Sequence, residues 1–320
     1  MKDGQFSLVD ALVSRRLGSN EKLERIGGLI DWGALRPLAQ QVRPGEMGRP
    51  PYDPLAMLKA LYLQALYDLS DPGLEDALLD RLSFRRFCGF GLDQETPDET
   101  TLCRFRQAAA KAGVLQACLD EVNRQLAAQG LMLKKGTLLD ATLVAASRNP
   151  PSKETAGLGG RHRQEPEADW TKKNGKALFG YKAHIAVDEG SGLVRRVIVT
   201  SAKVYESVVA DDLICGDERA VYGDKAYEHK GRRRRLKAAG IKDRLMHRRH
   251  KHIAELPRWQ QRRNALIARR RAPVEAVFSA MKRIYGLGRA RCLTLARNTA
   301  DILAFATVYN LRRAILLTAT

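Results

Sequence analysis

The hydrophobic period of this chain changes near residue 131, and that change limits the folds open to it. Up to that point apolar residues recur at helical spacing behind clear helix starts. In "YDPLAMLKALYLQALYDL", Asp53 reads as an N-cap with Pro54 at the first helical position. "SDPGLEDALLDRLSFRRFCGFG" repeats the device with Asp71 and Pro72, and stops at Gly89 and Gly91. "TPDETTLCRFRQAAAKAG" starts near Asp98 and ends at Gly113. Beyond residue 131 the runs are shorter and rich in Thr, Leu and Val. "GTLLDATLVA" suits a buried strand, and "YKAHIAVDEGSGLVRRVIVTSA" suits two strands around a Gly-containing turn. "RAVYGDKAY" reads as a fourth strand ending at Gly223 and Asp224, and "IKDRLMHRR" as a fifth. "HKGRRRRLKAAG" between them reads as a helix, and further helices cover roughly 258–285 and 295–317. Residues 148–176, polar with scattered Pro and Gly, read as one long loop. The expectation is an α/β chain, with an all-helical part over residues 1–130 and a mixed sheet with flanking helices over 131–320.

Charge narrows the partners. The net value is +19 with a pI near 10. Residues 230–271 hold 17 Lys and Arg, Arg232, Arg233, Arg234 and Arg235 among them, against two acids, Asp243 and Glu255. A local net of +15 repels itself unless something anionic lies against it, and nucleic acid is the favoured partner. A solvated basic face or an anionic membrane surface is the alternative, although the run is not one long amphipathic helix. The helix with Arg104, Phe105 and Arg106 in its first turns, and the two before it, fit a helix-turn-helix DNA reader. They equally fit an all-helical dimerisation module. No run of 18 apolar residues predicts a membrane span, and the first residues show no apolar signal core. Five cysteines, an odd number with no C-x-x-C pair, predict reduced thiols and a cytoplasmic setting.

The acids can then be sorted. Asp140 lies inside an apolar strand, where a charge is costly unless it is paired or binds a metal. Asp224 closes another such strand. In "RAPVEAVFSAMKR", Val274, Val277, Phe278 and Met281 make an apolar stripe with Glu275 at its border. Arg271 and Lys282 fall in the same polar row as Glu275. Pro273 either begins this helix or kinks a longer one. Glu275 is either one end of an i, i+4 ion pair with Arg271 or the third carboxylate of a site formed with Asp140 and Asp224. Such a trio suits Mg²⁺, which takes carboxylate oxygens and keeps positions open for phosphate. Two such ions can activate an attacking oxygen and stabilise a leaving one. Asp188 reads as a turn residue, Asp211 and Asp212 as helical, and Asp217 and Glu218 as part of a connection. His184 reads as a core histidine, and without an H-E-x-x-H motif a zinc hydrolase is disfavoured.

The stretches "LLDATLV", "YGDKAY" and "RAPVEAVFSAMKR" resemble the three catalytic blocks of DDE transposases encoded by bacterial insertion sequences, and most of all the group numbered five. Wider relatives carry a Tyr-x2-Arg-x3-Glu-x6-Lys signature. Arg271, Glu275 and Lys282 match it at that spacing, whereas Ala268 stands at the tyrosine position. The segment from "RPPYDPLAMLKALY" to "PDETTLCRFR" resembles the family's helical domain, so the resemblance covers roughly residues 45–315. It implies a ribonuclease-H-like catalytic domain. Asp140 from its first strand, Asp224 from its fourth and Glu275 from a later helix would be catalytic and would ligate two Mg²⁺ ions, with Mn²⁺ able to substitute. Arg271 and Lys282 would hold the DNA strand beside Glu275. Arg232, Arg233, Arg234, Arg235, Arg104 and Arg106 are further DNA-contact candidates. The activity implied is binding of terminal inverted repeats, cleavage at the element's ends and joining of the 3′-hydroxyl to target DNA. The expected partners are double-stranded DNA and, in the synaptic complex, a second copy of the chain, with no membrane and no small-molecule substrate. The residues leave two other readings open: a structure-specific nuclease of the same fold, and a non-catalytic DNA-binding protein with a structural acid cluster.

Overall fold

Local side-chain chemistry sets where the helices begin. The computed structural model describes residues 20–42, 51–148, 165–173, 175–249 and 255–319. Asn20 caps α1 (Glu21–Leu29) by accepting from the Leu23 amide. A short α2 (Arg36–Ala39) precedes α3 (Pro54–Tyr67), which starts as expected with the Asp53 side chain accepting from Leu55 N. α4 (Asp71–Asp80) starts one residue earlier than its motif suggests, because Ser70 is the cap, its hydroxyl accepting from Gly73 N at 3.1 Å. The Asp71 carboxylate is thereby released to bind Gln64 at 2.6 Å and Arg106. α5 (Leu82–Cys88) closes on Gly89, and α6 (Glu99–Ala112) runs from its Asp98 cap to Gly113, both glycines in the left-handed region. α7 (Val114–Ala128) follows directly.

The strands are β1 (Thr137–Ala145), β2 (Asp169–Lys173), β3 (Lys176–Asp188), β4 (Val194–Ser201), β5 (Ala220–Gly223) and β6 (Lys242–Leu245). β1 and β4 both pair antiparallel with β3, while β5 runs parallel to β1 and β6 parallel to β5. The path β4-β3-β1-β5-β6, three antiparallel strands followed by two parallel ones, with β2 also on β3, is a mixed sheet of the ribonuclease-H-like kind expected of this chain. β1 is covered on both faces: Leu138 and Val144 enter one core, and Leu139 enters a second with Ala186, Val221 and Leu245. Double coverage is the reason "GTLLDATLVA" shows no clean alternation. In the β3–β4 turn the Asp188 carboxylate accepts from Leu133 N, Lys134 N and Ser191 Oγ. His184 is fully buried beside Thr200, and burial pushes its imidazole down to about 4, so it is a neutral core residue.

The loop reading of 148–176 is corrected over Asp169–Lys173, which forms β2 as a hairpin on the start of β3. Trp170 stands opposite Phe179, their ring centroids 5.5 Å apart. Most of this hairpin lies beyond the part of β3 that pairs with β1, so it buries no alternating face and left no period in the sequence. Residues 149–164 of that segment fall outside the described residues.

α8 (Glu206–Leu213) and α9 (Lys230–Ala238) cover the smaller core. On the other face α10 (Arg258–Arg271) lies on β5 and α11 (Pro273–Tyr285) on β1. α12 (Leu295–Thr318) packs on β4 and on α1, α3, α6 and α7. One apolar core therefore runs from Leu23 through Leu119, Val144 and Phe278 to Ala314, across the position near 130 where the sequence divides. Two buried amides fasten it. Asn310 Oδ1 accepts from Val194 N at 2.7 Å, and its NH₂ donates to the Val194 carbonyl at 2.7 Å and to Asn123 Oδ1 at 2.8 Å. Asn123 donates to the Val194 and Arg195 carbonyls at 3.1 Å. Asn310→Leu strands the Val194 N–H and the Asn123 oxygen in this core, and should cost roughly 3 kcal/mol. Chemical denaturation checks this, and a wild-type midpoint would show the network to be incidental.

Candidate active site

The β1–β5 register creates the site. Leu138 stands opposite Tyr222, and two residues further along each parallel strand come Asp140 and Asp224. Side chains two apart share a sheet face, so the register directs Asp140, and Asp224 just past the end of β5, toward the same side of the sheet. Asp140 is still within β1, its Oδ1 accepting from Ala141 N at 2.9 Å. Asp224 follows β5 and caps the 3-10 turn Lys225–Tyr227, accepting from Ala226 N at 2.8 Å.

Glu275 arrives from above. Pro273 opens α11 directly after α10, and Ala272 between them keeps helical dihedrals, so Pro273 interrupts an otherwise continuous path. Val274, Val277, Phe278 and Met281 are buried as the stripe predicts, and Glu275 is exposed at its border. An open cavity of about 660 Å³ has Asp140, Ala141 and Thr142 on one wall and Glu275, Phe278, Ser279, Lys282 and Arg283 on the other. Asp140, Glu275 and Lys282 thus share one space, and Asp224 follows β5, the strand paired with β1. Arg271 reaches Asp140, with Nη2 at 3.3 Å from Oδ1 and 3.3 Å from the Leu139 carbonyl.

The donor set fits a hard divalent cation: carboxylate oxygens, one of which already draws in a guanidinium. The three carboxylates do not all lie within 4.8 Å of one another. Among the described residues the group that does is Cys215, Asp217 and Glu218. That group is already served by cations. Arg195 binds Asp217, Glu218 at 3.4 Å and Thr137 at 2.7 Å, and Lys134 binds Asp217 at 2.7 Å. Burial pushes the Cys215 thiol up, away from the thiolate form a soft metal would take. This cluster is a brace for the strand ends, as its place in a connection suggested.

The cationic candidates divide sharply. Arg232 is buried, with Nε donating to Asp211 at 2.9 Å, Nη1 to the Tyr227 carbonyl at 2.6 Å and Nη2 to the Ser207 carbonyl at 2.7 Å. Arg233 binds Asp243, Glu228 and the Leu245 and Met246 carbonyls. Arg106 is held by Asp71 with Asp301 at 3.9 Å. For these three the structure speaks against the expected DNA contact: Arg232 and Arg233 donate to carboxylates and carbonyls of the protein, and Arg106 is largely buried and paired with Asp71. A visible signal was that α9 has a single large apolar residue, Leu236, so the buried face had to include the residue four earlier, Arg232. Arg234, Arg235 and Arg104 are exposed, with Arg235 also on Asp211 at 2.6 Å. Sequence reasoning missed a second open cavity of about 580 Å³, lined by Arg244, Arg263, Arg269 and Arg270 over Tyr222, Leu266 and Ile267. Only helical spacing from Arg263 to Arg270 hinted at it.

A ribonuclease-H-like sheet with one carboxylate on β1, one just after β5 and a third on a packed helix is the arrangement of a class of phosphoryl-transfer enzymes. Residues 132–311 match the Transposase DDE domain family, and residues 12–108 match the family described as Transposase domain (DUF772). The first match spans more than half of the chain, so the chain belongs to the DDE transposases, enzymes of metal-dependent DNA cleavage and strand transfer. A cryo-EM structure of a piggyBac transposase synaptic complex with hairpin DNA is similar over 97% of this chain and 74% of that one, at 10% identity and a TM-score of 0.44. No described helix is long and apolar enough to cross a membrane.

Exposure separates two kinds of arginine in α9. Arg232→Gln should lower stability by roughly 2–4 kcal/mol, since it leaves two carbonyls unpaired and weakens the hold on Asp211. Arg234→Gln combined with Arg235→Gln should stay near wild-type stability. It should make the slope of log affinity for DNA against log salt shallower by about 2 at most. Denaturation and a salt titration of both proteins check this; full stability in the Arg232→Gln protein would return Arg232 to the DNA-facing set.

Proposed function

We propose that this transposase binds the terminal inverted repeats of its own insertion sequence, cleaves at the element's ends and joins the freed 3′-hydroxyl to target DNA. Asp140, Asp224 and Glu275 are the catalytic carboxylates and would hold two Mg²⁺ ions, with Mn²⁺ able to replace them. What supports this reading is the β1–β5 register, whose last pair, Leu138 with Tyr222, comes two residues before Asp140 and Asp224, and the open cavity lined by both Asp140 and Glu275. Bound ions would supply charge stabilisation to the attacking and leaving oxygens of an in-line displacement.

The chain's own groups do the rest. The two aspartates are set by the sheet and Glu275 by a buried helical seam, so their positions cost little reorganisation. Lys282, one wall of the cavity, offers an ammonium to the phosphate of the strand being cut. Arg271 exchanges Asp140 for that phosphate when DNA enters, which couples DNA binding to the release of a carboxylate for metal. We assign the arginine-lined cavity beside α10 to the backbone of the flanking DNA. Residues 1–130 contribute to end recognition, with Arg104 as the exposed candidate, and two copies of the chain join in the synaptic complex.

Asp140→Asn, Asp224→Asn and Glu275→Gln should each reduce cleavage on the order of a thousand-fold, about 4 kcal/mol of barrier, while DNA affinity stays close to wild type. Single-turnover cleavage of an end-bearing duplex with Mg²⁺, Mn²⁺ or Ca²⁺ checks this, and activity is expected with the first two only. Near-normal cleavage by any one variant would remove that residue from the site.

A further inference from the structure

α10 buries a single side chain, Ile267, along its 14 residues. Polar contacts fasten it instead. Arg263 donates to the Leu245 and Asp243 carbonyls, both at 2.7 Å. Asn264 accepts from His247 N at 2.8 Å and donates to the His247 carbonyl at 3.0 Å. The rest of the helix surface is left outside, and its chemistry is uneven. α10 carries six arginines and no acid. Trp259 and Leu266 are 59% and 62% exposed, among the most open large apolar side chains described. Trp259 leans edge-on against His247, their ring centroids 5.2 Å apart.

Helical geometry orders these residues. Seven residues return nearly to the same azimuth, so Trp259 and Leu266 form one line along α10 and Arg262 and Arg269 another, about 60° away. Arg262 and Arg269 are exposed, and among the described residues no acid binds either one. Their neighbours are taken: Asp243 pairs with Arg263, Glu189 with Arg270 and Asp140 with Arg271. One exposed apolar side chain is ordinary, but two in register beside two cations mark a contact surface. Phosphate answers the arginines and leaves Trp259 and Leu266 in water. The major groove of DNA answers both, because it admits an α-helix and shows guanine acceptors to arginine and thymine methyl groups to apolar side chains. A second copy of this chain is disfavoured, since it would set these arginines against a protein of net charge +19. An anionic bilayer would take a broad apolar face, and α10 offers one line of two residues.

We infer that the outer face of α10 reads bases in the major groove beside the cut, with Arg262 on a guanine and Leu266 on a thymine methyl group. This rests on the proposed cleavage of DNA ends at the site containing Glu275. α10 runs into α11 with only Ala272 between them, so Leu266 lies at most about 14 Å along the helices from Glu275, and Arg262 at most about 20 Å. At about 3.4 Å per base pair, the bases within reach fall within roughly six pairs of the cut.

The test compares full-length wild type, Arg262→Gln and Leu266→Ala on end-bearing duplexes randomised over roughly six base pairs to each side of the cut, with bound duplexes sequenced. Wild type should select particular bases there. Arg262→Gln should lose selection at one guanine, by about 5- to 100-fold, and Leu266→Ala at one thymine, by about 3- to 5-fold, with selection elsewhere kept. Deoxyuridine in place of that thymine removes only the methyl group. It should weaken wild type by the same factor and leave the Leu266→Ala protein unaffected. If wild type cuts ends but selects no base in this window, or both variants keep its selection and lose affinity for every duplex alike, α10 touches backbone at most. Either result would overturn the inference and leave the cleavage assignment standing. An unfolding midpoint of Leu266→Ala well below wild type would also overturn it, by placing Leu266 in the core. So would loss of self-association, or of binding to phosphatidylglycerol vesicles, in place of lost base selection, by giving the face to a second copy or to a membrane. Wild-type protein that neither prefers nor cuts end-bearing duplexes would take down the functional reading, and this inference with it.

Discussion

The parallel pairing of β1 with β5 is the constraint on which the site depends, and it is short. Two residue pairs define it, Thr137 with Val221 and Leu138 with Tyr222. A slip of one residue would turn Asp140 or Asp224 to the opposite face of the sheet and separate the carboxylates. The register is held from its flanks. Arg195 binds Thr137 at the start of β1 and Asp217 and Glu218 just before β5, which ties the two strands at their entry. Leu139 and Val221 meet in one core, Leu138 and Tyr222 in the other. The cluster that looks most like a metal centre by proximity therefore serves the carboxylates that do not.

Much of this was legible in the sequence, for identifiable reasons. Helix starts at Asp53 and Asp98 follow from local capping, and the strands follow from apolar runs bounded by Gly and Asp. Glu275 could be placed because Val274, Val277, Phe278 and Met281 repeat at helical spacing. What failed was whatever long-range pairing decides. Asp71 looked like a cap, but the Ser70 hydroxyl takes that role and Asp71 meets Arg106, 35 residues away. Arg232 looked like its neighbours in a basic run, but Asp211 and two carbonyls lie against it. β2 is a polar stretch in which none of Asp169, Trp170, Thr171 and Lys172 is buried, so no apolar run marked it. The division near residue 130 reflects a change of secondary structure, while the core ignores it.

The +15 segment is more self-sufficient than its charge suggests. Its acid Asp243 gathers Arg233 and Arg263, Asp211 gathers Arg232 and Arg235, and Glu189 takes Arg270. These pairs organise the basic region around the sheet edge at β6, so the cations left over face outward from a braced surface.

The placement of α12 has a consequence for how the protein is made. Asn310 must find Asn123, 187 residues earlier in the chain, and α12 covers apolar faces of four helices that emerge from the ribosome long before it. Until Leu295–Thr318 has been synthesised, those helices cannot close their core, although the segments carrying all three carboxylates already exist. Such high sequence separation makes folding slow and late. Assembly of the site is thereby tied to translation of Leu295–Thr318, and chains that stop before residue 295 remain incomplete folds whose carboxylates lack a finished scaffold.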